Sequence, residues 1–157
     1  MRRDYEYVAL GLGGLGGAAA YWLARGAGSD VLGLEQFELG HVRGESQDHS
    51  RIIRLSYHTP GYVRLAKRAY QSWATLESDA KEACILKCGG LDLAPRDGRI
   101  PLDPYLASLT AEQVPFEHLD AGEIRARFPQ FRIGDDCHAI FQADGGIARA
   151  ARANAMH

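Results

Sequence analysis

The sequence has no long apolar run and no block of like charge. A membrane-spanning helix needs about 20 consecutive apolar residues, and no stretch of that kind is present. Asp4 follows Met1-Arg-Arg, where a signal peptide would continue into an apolar segment. Lysine and arginine total 18 against 20 acidic residues, which leaves no basic footprint for nucleic acid. We expect a cytoplasmic protein without a membrane or nucleic-acid partner.

Cysteine is also scarce. The chain has three, Cys84, Cys88 and Cys137. An odd number, together with the missing signal peptide, argues against a disulfide framework. Because no cysteine or histidine pair follows Cys84 and Cys88 at metal-binding spacing, we predict structural thiols and no metal site.

The clearest motif lies in the first 35 residues. An apolar segment at 5–10 leads into a glycine-rich turn, an alanine-rich segment follows at 18–24, and a second apolar segment at 31–34 ends at Glu35. This order predicts a strand, a turn, a helix and a second strand. Such a βαβ unit is the structure that binds the ADP half of a dinucleotide.

The glycines of the turn have separate roles in this prediction. Gly11 permits the tight turn out of the strand, Gly13 leaves space for the pyrophosphate, and Gly16 lets the helix pack close to the sheet. The pyrophosphate would meet free N–H groups at the positive end of the helix. Glu35 would accept hydrogen bonds from the ribose hydroxyls. An acid there disfavours the 2′-phosphate of NADP, and the motif leaves NAD and FAD open.

The middle of the chain has one strong helix signal. Residues 36–50 show no periodicity and predict a long loop, and 51–57 fit a short strand or a helical turn. Thr59 is a plausible N-cap before Pro60, and the helix should end by Lys81. Its predicted apolar face consists of Val63, Ala66, Tyr70 and Trp73.

The remainder alternates short strands and helices. We predict a capping box at Asp120 and Glu123, and a helix that is cut off by Pro129. A dinucleotide-binding sheet needs more than two parallel strands, so we expect a truncated α/β protein (α+β overall), the front part of a larger one. The other predicted strands are 85–94 (interrupted by Gly89-Gly90), 114–118 and 137–142. The other predicted helices follow Asp103 as an N-cap before Pro104, and begin at 147.

Several segments together resemble one family of flavoenzymes. They are the glycine-rich start, Gly44–Tyr57, Trp73, the Gly89-Gly90-Leu91 triplet and the stretch from Phe128 to Gly146. The chain is similar to the N-terminal portion of the monomeric sarcosine oxidase and N-methyltryptophan oxidase family, a group of D-amino-acid-oxidase-like FAD-dependent oxidoreductases. The Ser-Arg-Ile-Ile-Arg run at 50–54 is more specific than the glycine motif and favours FAD over NAD.

The resemblance implies a fold and an activity. The fold is a Rossmann-like FAD-binding βαβ unit with part of an antiparallel substrate domain. Residues 1–80 would belong to the FAD domain, 81–143 to the substrate domain, and 144–157 would begin a helix returning to the FAD domain. The activity would be oxidation of the C–N bond of sarcosine, N-methyltryptophan or pipecolate by oxygen, giving hydrogen peroxide. The resemblance favours a monomer.

The resemblance also carries over individual residues. Arg51 would lie against the flavin ring as the catalytic residue, where a guanidinium stabilises negative charge on the reduced ring. Arg54 would hold the substrate carboxylate through a bidentate contact. The implied cofactor-binding residues are Gly11, Gly13, Gly14, Leu15, Gly16, Glu35, Gln36, Ser50 and Arg51.

Other interpretations stay open. Arg51 and Arg54 could be solvated charges flanking the apolar pair Ile52-Ile53. The chain could be a non-catalytic truncated remnant, or an NAD-binding dehydrogenase module, which would leave the two arginines unexplained.

The chain departs from the family pattern in the loop before Arg51. Where many relatives have histidine and glycine, this chain has Gln47 and Asp48, with His49 next. His58 and His118 are expected to be surface or packing residues.

Overall fold

The computed structural model describes residues 4–157 and shows a mixed α/β protein, as predicted. Within these residues no helix is long and apolar enough to cross a membrane. The strands are β1 Tyr7–Leu10, β2 Val31–Leu34, β3 Arg51–Ile53, β4 Ile85–Lys87, β5 Gly90–Pro95, β6 Glu117–Leu119, β7 Cys137–Gln142 and β8 Gly146–Ala148. The helices are α1 Gly14–Ala27, α2 Pro60–Ala80, α3 Asp103–Ala111, α4 Ala121–Arg127 and α5 Ala150–Met156.

The chain divides into two compact units, each assembled from separate segments. The first contains the chain up to Arg51, together with Leu76–Cys84 and Ala148–His157. The second contains Ile52–Thr75 and Ile85–Ile147. Elements that are consecutive in the sequence therefore do not always belong to the same unit.

The first unit contains the predicted βαβ motif. Strands β1 and β2 are parallel, with Tyr7 opposite Val31 and Leu10 opposite Leu34. Helix α1 connects them, as the alternation of apolar segments and glycine turn predicts. Ala153 of α5 is buried in the same unit. The βαβ prediction is confirmed.

The second unit is built on an antiparallel sheet with the order β5–β7–β6. Ile140, at the centre of β7, lies opposite Asp92 and His118 and is completely buried. One core cluster joins Ile140 to Val63 and Ala66 of the predicted apolar face of α2. A further sheet has the order β3–β8–β4.

The local signals for helix ends are accurate at two places. Helix α2 begins at Pro60, and the Thr59 carbonyl accepts the N–H of Val63. Helix α4 has the predicted capping box, in which Asp120 Oδ1 accepts the Glu123 N–H and Glu123 Oε2 accepts the Asp120 N–H, both at 2.8 Å. Both predictions rest on chemistry within one turn of the chain.

Three predicted boundaries are wrong. Strand β6 begins at Glu117, because the Val114 N–H bonds the Leu109 carbonyl at the end of α3 and its side chain enters the core. Helix α3 is capped by Leu102, so that Asp103 is its first residue. Helix α5 starts at Ala150, because the residues before it form strand β8.

Candidate functional site

The glycine turn is a close approach of two backbone segments. Gly11 follows β1 with a φ of +85°, a conformation that favours glycine, and its N–H bonds the Leu34 carbonyl at 2.7 Å. A Cβ atom on Gly16 would lie 1.7 Å from the Gly11 carbonyl oxygen. Only glycine fits at position 16, because any side chain would separate α1 from the turn.

The N-terminus of α1 is capped by a distant side chain. Gly13 is the N-cap residue and has no side chain with which to accept a hydrogen bond. Ser46 Oγ, from the loop between β2 and β3, accepts the Gly14 N–H at 2.7 Å. Sequence reasoning missed Ser46, since the only signal at this position was the length of the unstructured loop.

Glu35 connects the end of β2 to the glycine turn. Its Oε2 accepts the Leu12 N–H at 2.8 Å, and its Oε1 accepts the Gln36 N–H at 2.8 Å. These hydrogen bonds hold the pKa of the carboxyl below its usual value, and the one from the Leu12 N–H has the largest effect. Glu35 is therefore a charged acceptor fixed beside the turn, with His41 Nε2 at 3.5 Å from Oε1.

A pocket of about 240 Å³ lies along this turn. Four predicted cofactor residues line it, and helix α5 contributes Ala151 and Asn154. Ligand pockets commonly measure about 300–1,000 Å³, so this space suits one part of a dinucleotide. Gly14, Leu15, Gly16, Ser50 and Arg51 are outside the lining set. The four predicted residues in the lining are Gly11, Gly13, Glu35 and Gln36.

Arg51 is held by acceptors of the loop that precedes it. Its Nη1 donates to Asp48 Oδ2 at 2.9 Å and its Nη2 to the Glu45 carbonyl at 2.9 Å. The Arg51 side chain is 44% exposed, and the preceding Ser50 is exposed. The guanidinium is thus oriented by the protein and also accessible.

Arg54, in the second unit, has a different environment. Its Nη1 donates to Asp92 Oδ1 at 2.7 Å. The guanidinium carbon lies 5.3 Å from the centre of the Tyr57 ring, within the range of a cation–π contact. The side chain is 36% exposed, so this predicted substrate-binding residue is partly accessible and already paired.

The cysteines and histidines form no further centre. Within residues 4–157 no group of three or more potential metal ligands occurs. Cys84 and Cys137 are buried and Cys88 is exposed, all as free thiols. His118 Nε2 lies 2.9 Å from Nδ1 of the buried His138, a contact that sequence reasoning did not predict.

A glycine turn, a helix N-terminus and an acidic residue at the end of the second parallel strand define a nucleotide-binding α/β protein. The family model for FAD-dependent oxidoreductases (DAO) matches residues 6–156. The chain belongs to this family. The cofactor of the family is FAD, and the glycine turn, the fixed Glu35 carboxylate and the pocket between them fit its ADP half.

Two individual relatives within this family are sarcosine oxidases. The chain is 38% identical to monomeric sarcosine oxidase from Streptomyces avermitilis, over 100% of this chain and 41% of that protein. It is 33% identical to peroxisomal sarcosine oxidase from Homo sapiens, over 95% of this chain and 38% of that protein. The chain therefore spans about 40% of the length of these relatives.

Solved structures share the fold. The open form of NikD, described as an unusual amino acid oxidase essential for nikkomycin biosynthesis, superposes with a TM-score of 0.80 at 27% identity. That match covers 99% of this chain and 40% of NikD. L-proline dehydrogenase from P. horikoshii has a TM-score of 0.82 at 21% identity, which bears on the fold alone. The predicted fold class and family resemblance are confirmed.

Proposed function

We propose that this chain is the N-terminal part of an FAD-dependent oxidase of secondary or N-methyl amino acids. The reaction would remove two electrons and two protons from the substrate C–N bond, and oxygen would accept them to give hydrogen peroxide. The observation that carries the proposal is the pocket in which the glycine turn faces Glu35. The 38% identity to a sarcosine oxidase supports the substrate class.

The chain's own residues would bind and orient the two ligands. The backbone at Gly11 and Gly13 would approach the pyrophosphate, and Glu35 would accept the ribose hydroxyls. FAD, when bound, supplies the ring that accepts electrons. Arg51 would place a positive charge beside that ring, held in position by Asp48 and the Glu45 carbonyl. Arg54 would bind the substrate carboxylate.

Cofactor binding is the direct test of this proposal. The purified 157-residue chain is incubated with FAD and, in parallel, with NAD, then desalted and examined by visible and ultraviolet absorption. We expect the oxidised-flavin bands to remain with the protein and no NAD to be retained. Retention of NAD alone by a folded sample would replace the proposal with a dehydrogenase module.

Peroxide formation is the second test. The flavin-loaded chain is mixed with sarcosine or pipecolate in a peroxidase-coupled assay, with free FAD at the same concentration as the blank. Peroxide above the blank supports the oxidase activity in this chain. A flavin-loaded chain without peroxide would restrict its function to holding the cofactor.

A further inference from the structure

In the ion pair between Arg54 and Asp92, the Asp92 side chain is less exposed to solvent than the Arg54 side chain. Arg54 Nη1 and Asp92 Oδ1 are 2.7 Å apart, and the side chains are 36% and 20% exposed respectively. The Tyr57 ring lies beside the guanidinium. Arg54 is therefore restrained by a carboxylate and an aromatic ring from the same unit, which reduces the conformational freedom lost when a ligand binds.

Each partner keeps polar atoms available. Within residues 4–157, Asp92 Oδ1 is the one hydrogen-bond acceptor that Arg54 reaches, so Nε and Nη2 can still donate. Oδ2 of Asp92 receives no hydrogen bond from these residues. The pair thus presents an edge of donors next to an unused carboxylate oxygen, a positive and a negative group side by side.

A second unused acceptor lies on the same face of the sheet. Gln142 pairs with Gly90 and Ile140 pairs with Asp92 in the β5–β7 ladder, so Gln142 and Asp92 occupy diagonal positions on one face. Gln142 is 2% exposed, and its Oε1 is buried without a hydrogen-bond partner in the described chain. The unpaired Gln142 carbonyl oxygen therefore adds a partial negative charge to the face of the sheet that carries Asp92.

We propose that the Arg54–Asp92 pair selects zwitterionic amino acids over simple carboxylates. The ligand carboxylate binds the donor edge of Arg54, and its ammonium group lies towards Asp92. The inference rests on the proposed function, in which Arg54 is the carboxylate-binding residue. It names Asp92 as the residue that determines specificity.

The selection follows from the charges. Asp92 repels a ligand that carries only a carboxylate, and it attracts the ammonium group that a zwitterion adds a few ångströms away. Discrimination of this type depends on the repulsive element as much as on the attractive one. An arginine without the neighbouring acid would bind both ligands through the carboxylate alone and would separate them poorly.

The test compares two ligands of the same shape. Pipecolate and cyclohexanecarboxylate differ in a ring NH₂⁺ against a CH₂, and their binding to the 157-residue chain is followed through the ¹⁵Nε–H resonance of Arg54. We expect pipecolate to bind at least about threefold more tightly, the size of one screened charge contact. In Asp92→Asn we expect the two affinities to become equal and cyclohexanecarboxylate to bind more tightly than to the wild type.

Asp135→Asn is the matched control. It removes the acid of another arginine–aspartate pair in the same unit, with Arg125 at 2.9 Å, and should leave the preference intact. Equal binding of the two ligands to the wild type would overturn the role of Asp92 while Arg54 remains a carboxylate site. If neither ligand moves the Arg54 resonance, the carboxylate-binding role of Arg54 in the proposed function falls as well.

Discussion

Asp48 Oδ2 accepts a hydrogen bond from Arg51 Nη1 at 2.9 Å, although Asp48 itself has a φ of +100°. This is the left-handed region of backbone conformation, which glycine favours and other residues rarely adopt. The carboxylate also accepts the His49 N–H at 2.7 Å. The hydrogen bond from the His49 N–H has the largest effect on the pKa of Asp48, and that from Arg51 the next largest. Both hold this pKa below its usual value, so the carboxylate is charged beside the arginine.

The first prediction concerns this strained position. Asp48→Gly and Asp48→Ala both lose the two hydrogen bonds of the carboxylate. Only the glycine variant also relieves the left-handed backbone strain, so the difference between the two variants measures that strain. We expect the alanine variant to be less stable than the glycine variant by about 1 kcal/mol, measured by urea unfolding. Equal stabilities would show that the +100° conformation is not maintained in solution.

The second prediction tests the close approach in the glycine turn. Gly16→Ala places a methyl group against the Gly11 carbonyl and should destabilise the chain by about 3 kcal/mol or more, with loss of FAD retention. Gly26→Ala, in the same helix, meets no atom within 4 Å and should stabilise it by about 1 kcal/mol. Thermal unfolding and the flavin spectrum measure both. Similar melting temperatures for the two variants would contradict the packing argument.

The third prediction concerns the distant cap of α1. Ser46→Ala leaves the Gly14 N–H without its acceptor and should cost about 1 kcal/mol of unfolding free energy, as loss of an N-cap does. Ser46→Thr keeps a hydroxyl and should retain most of the stability. The role assigned to Ser46 is wrong if the two variants unfold at the same urea concentration.

The fourth prediction is a pH dependence from His138. Burial, followed by the neighbouring His118, lowers the pKa of His138 below 6.5; Arg96 acts in the same direction and Asp103 opposes it. A base with a lowered folded-state pKa contributes its full stability above the unfolded pKa. That contribution is lost as the pH falls from about 7 towards the folded pKa, because the unfolded chain binds the proton first.

His138→Asn removes this titration. We expect its unfolding free energy to fall less between pH 7 and pH 5 than that of the wild type, measured by urea unfolding at each pH. Burial also lowers the pKa of His157, which titrates in both proteins, so the difference between the two curves is the diagnostic quantity. Parallel curves would show that His138 is not a buried neutral base.

What could be predicted from the sequence is the chemistry that acts within a few residues. The capping box at Asp120, the start of α2 at Pro60 and the glycine turn depend on neighbours along the chain, and the structure contains all three. The strand at Cys137–Gln142 was predicted with its observed bounds, since turn-forming residues flank an apolar run.

The contacts that complete the site could not be predicted in the same way. Ser46 meets Gly14 across 32 residues, and Asp92 meets Arg54 across 38. No local pattern marks either partner, because a loop serine and a strand aspartate are ordinary residues until the fold brings them to a helix end or an arginine. At Val114 the local sequence pattern itself misled the prediction. The sequence is typical of a strand, but the Val114 N–H donates to the Leu109 carbonyl at the end of α3.

Helix α5 contacts residues that lie far from it in the sequence, and this affects the order of folding. Helix α5 supplies Ala151 and Asn154 to the wall of the pocket beside the glycine turn, and the Ala151 N–H donates to the Asp48 carbonyl more than 100 residues earlier. Contacts of such high sequence separation form slowly, because the entropy of closing the long intervening loop is lost before the contacts stabilise the chain. On the ribosome, the glycine turn emerges early but its pocket closes only after α5 has been synthesised. The wall of this pocket is thus assembled from two segments that lie far apart in the chain, and neither segment forms it alone.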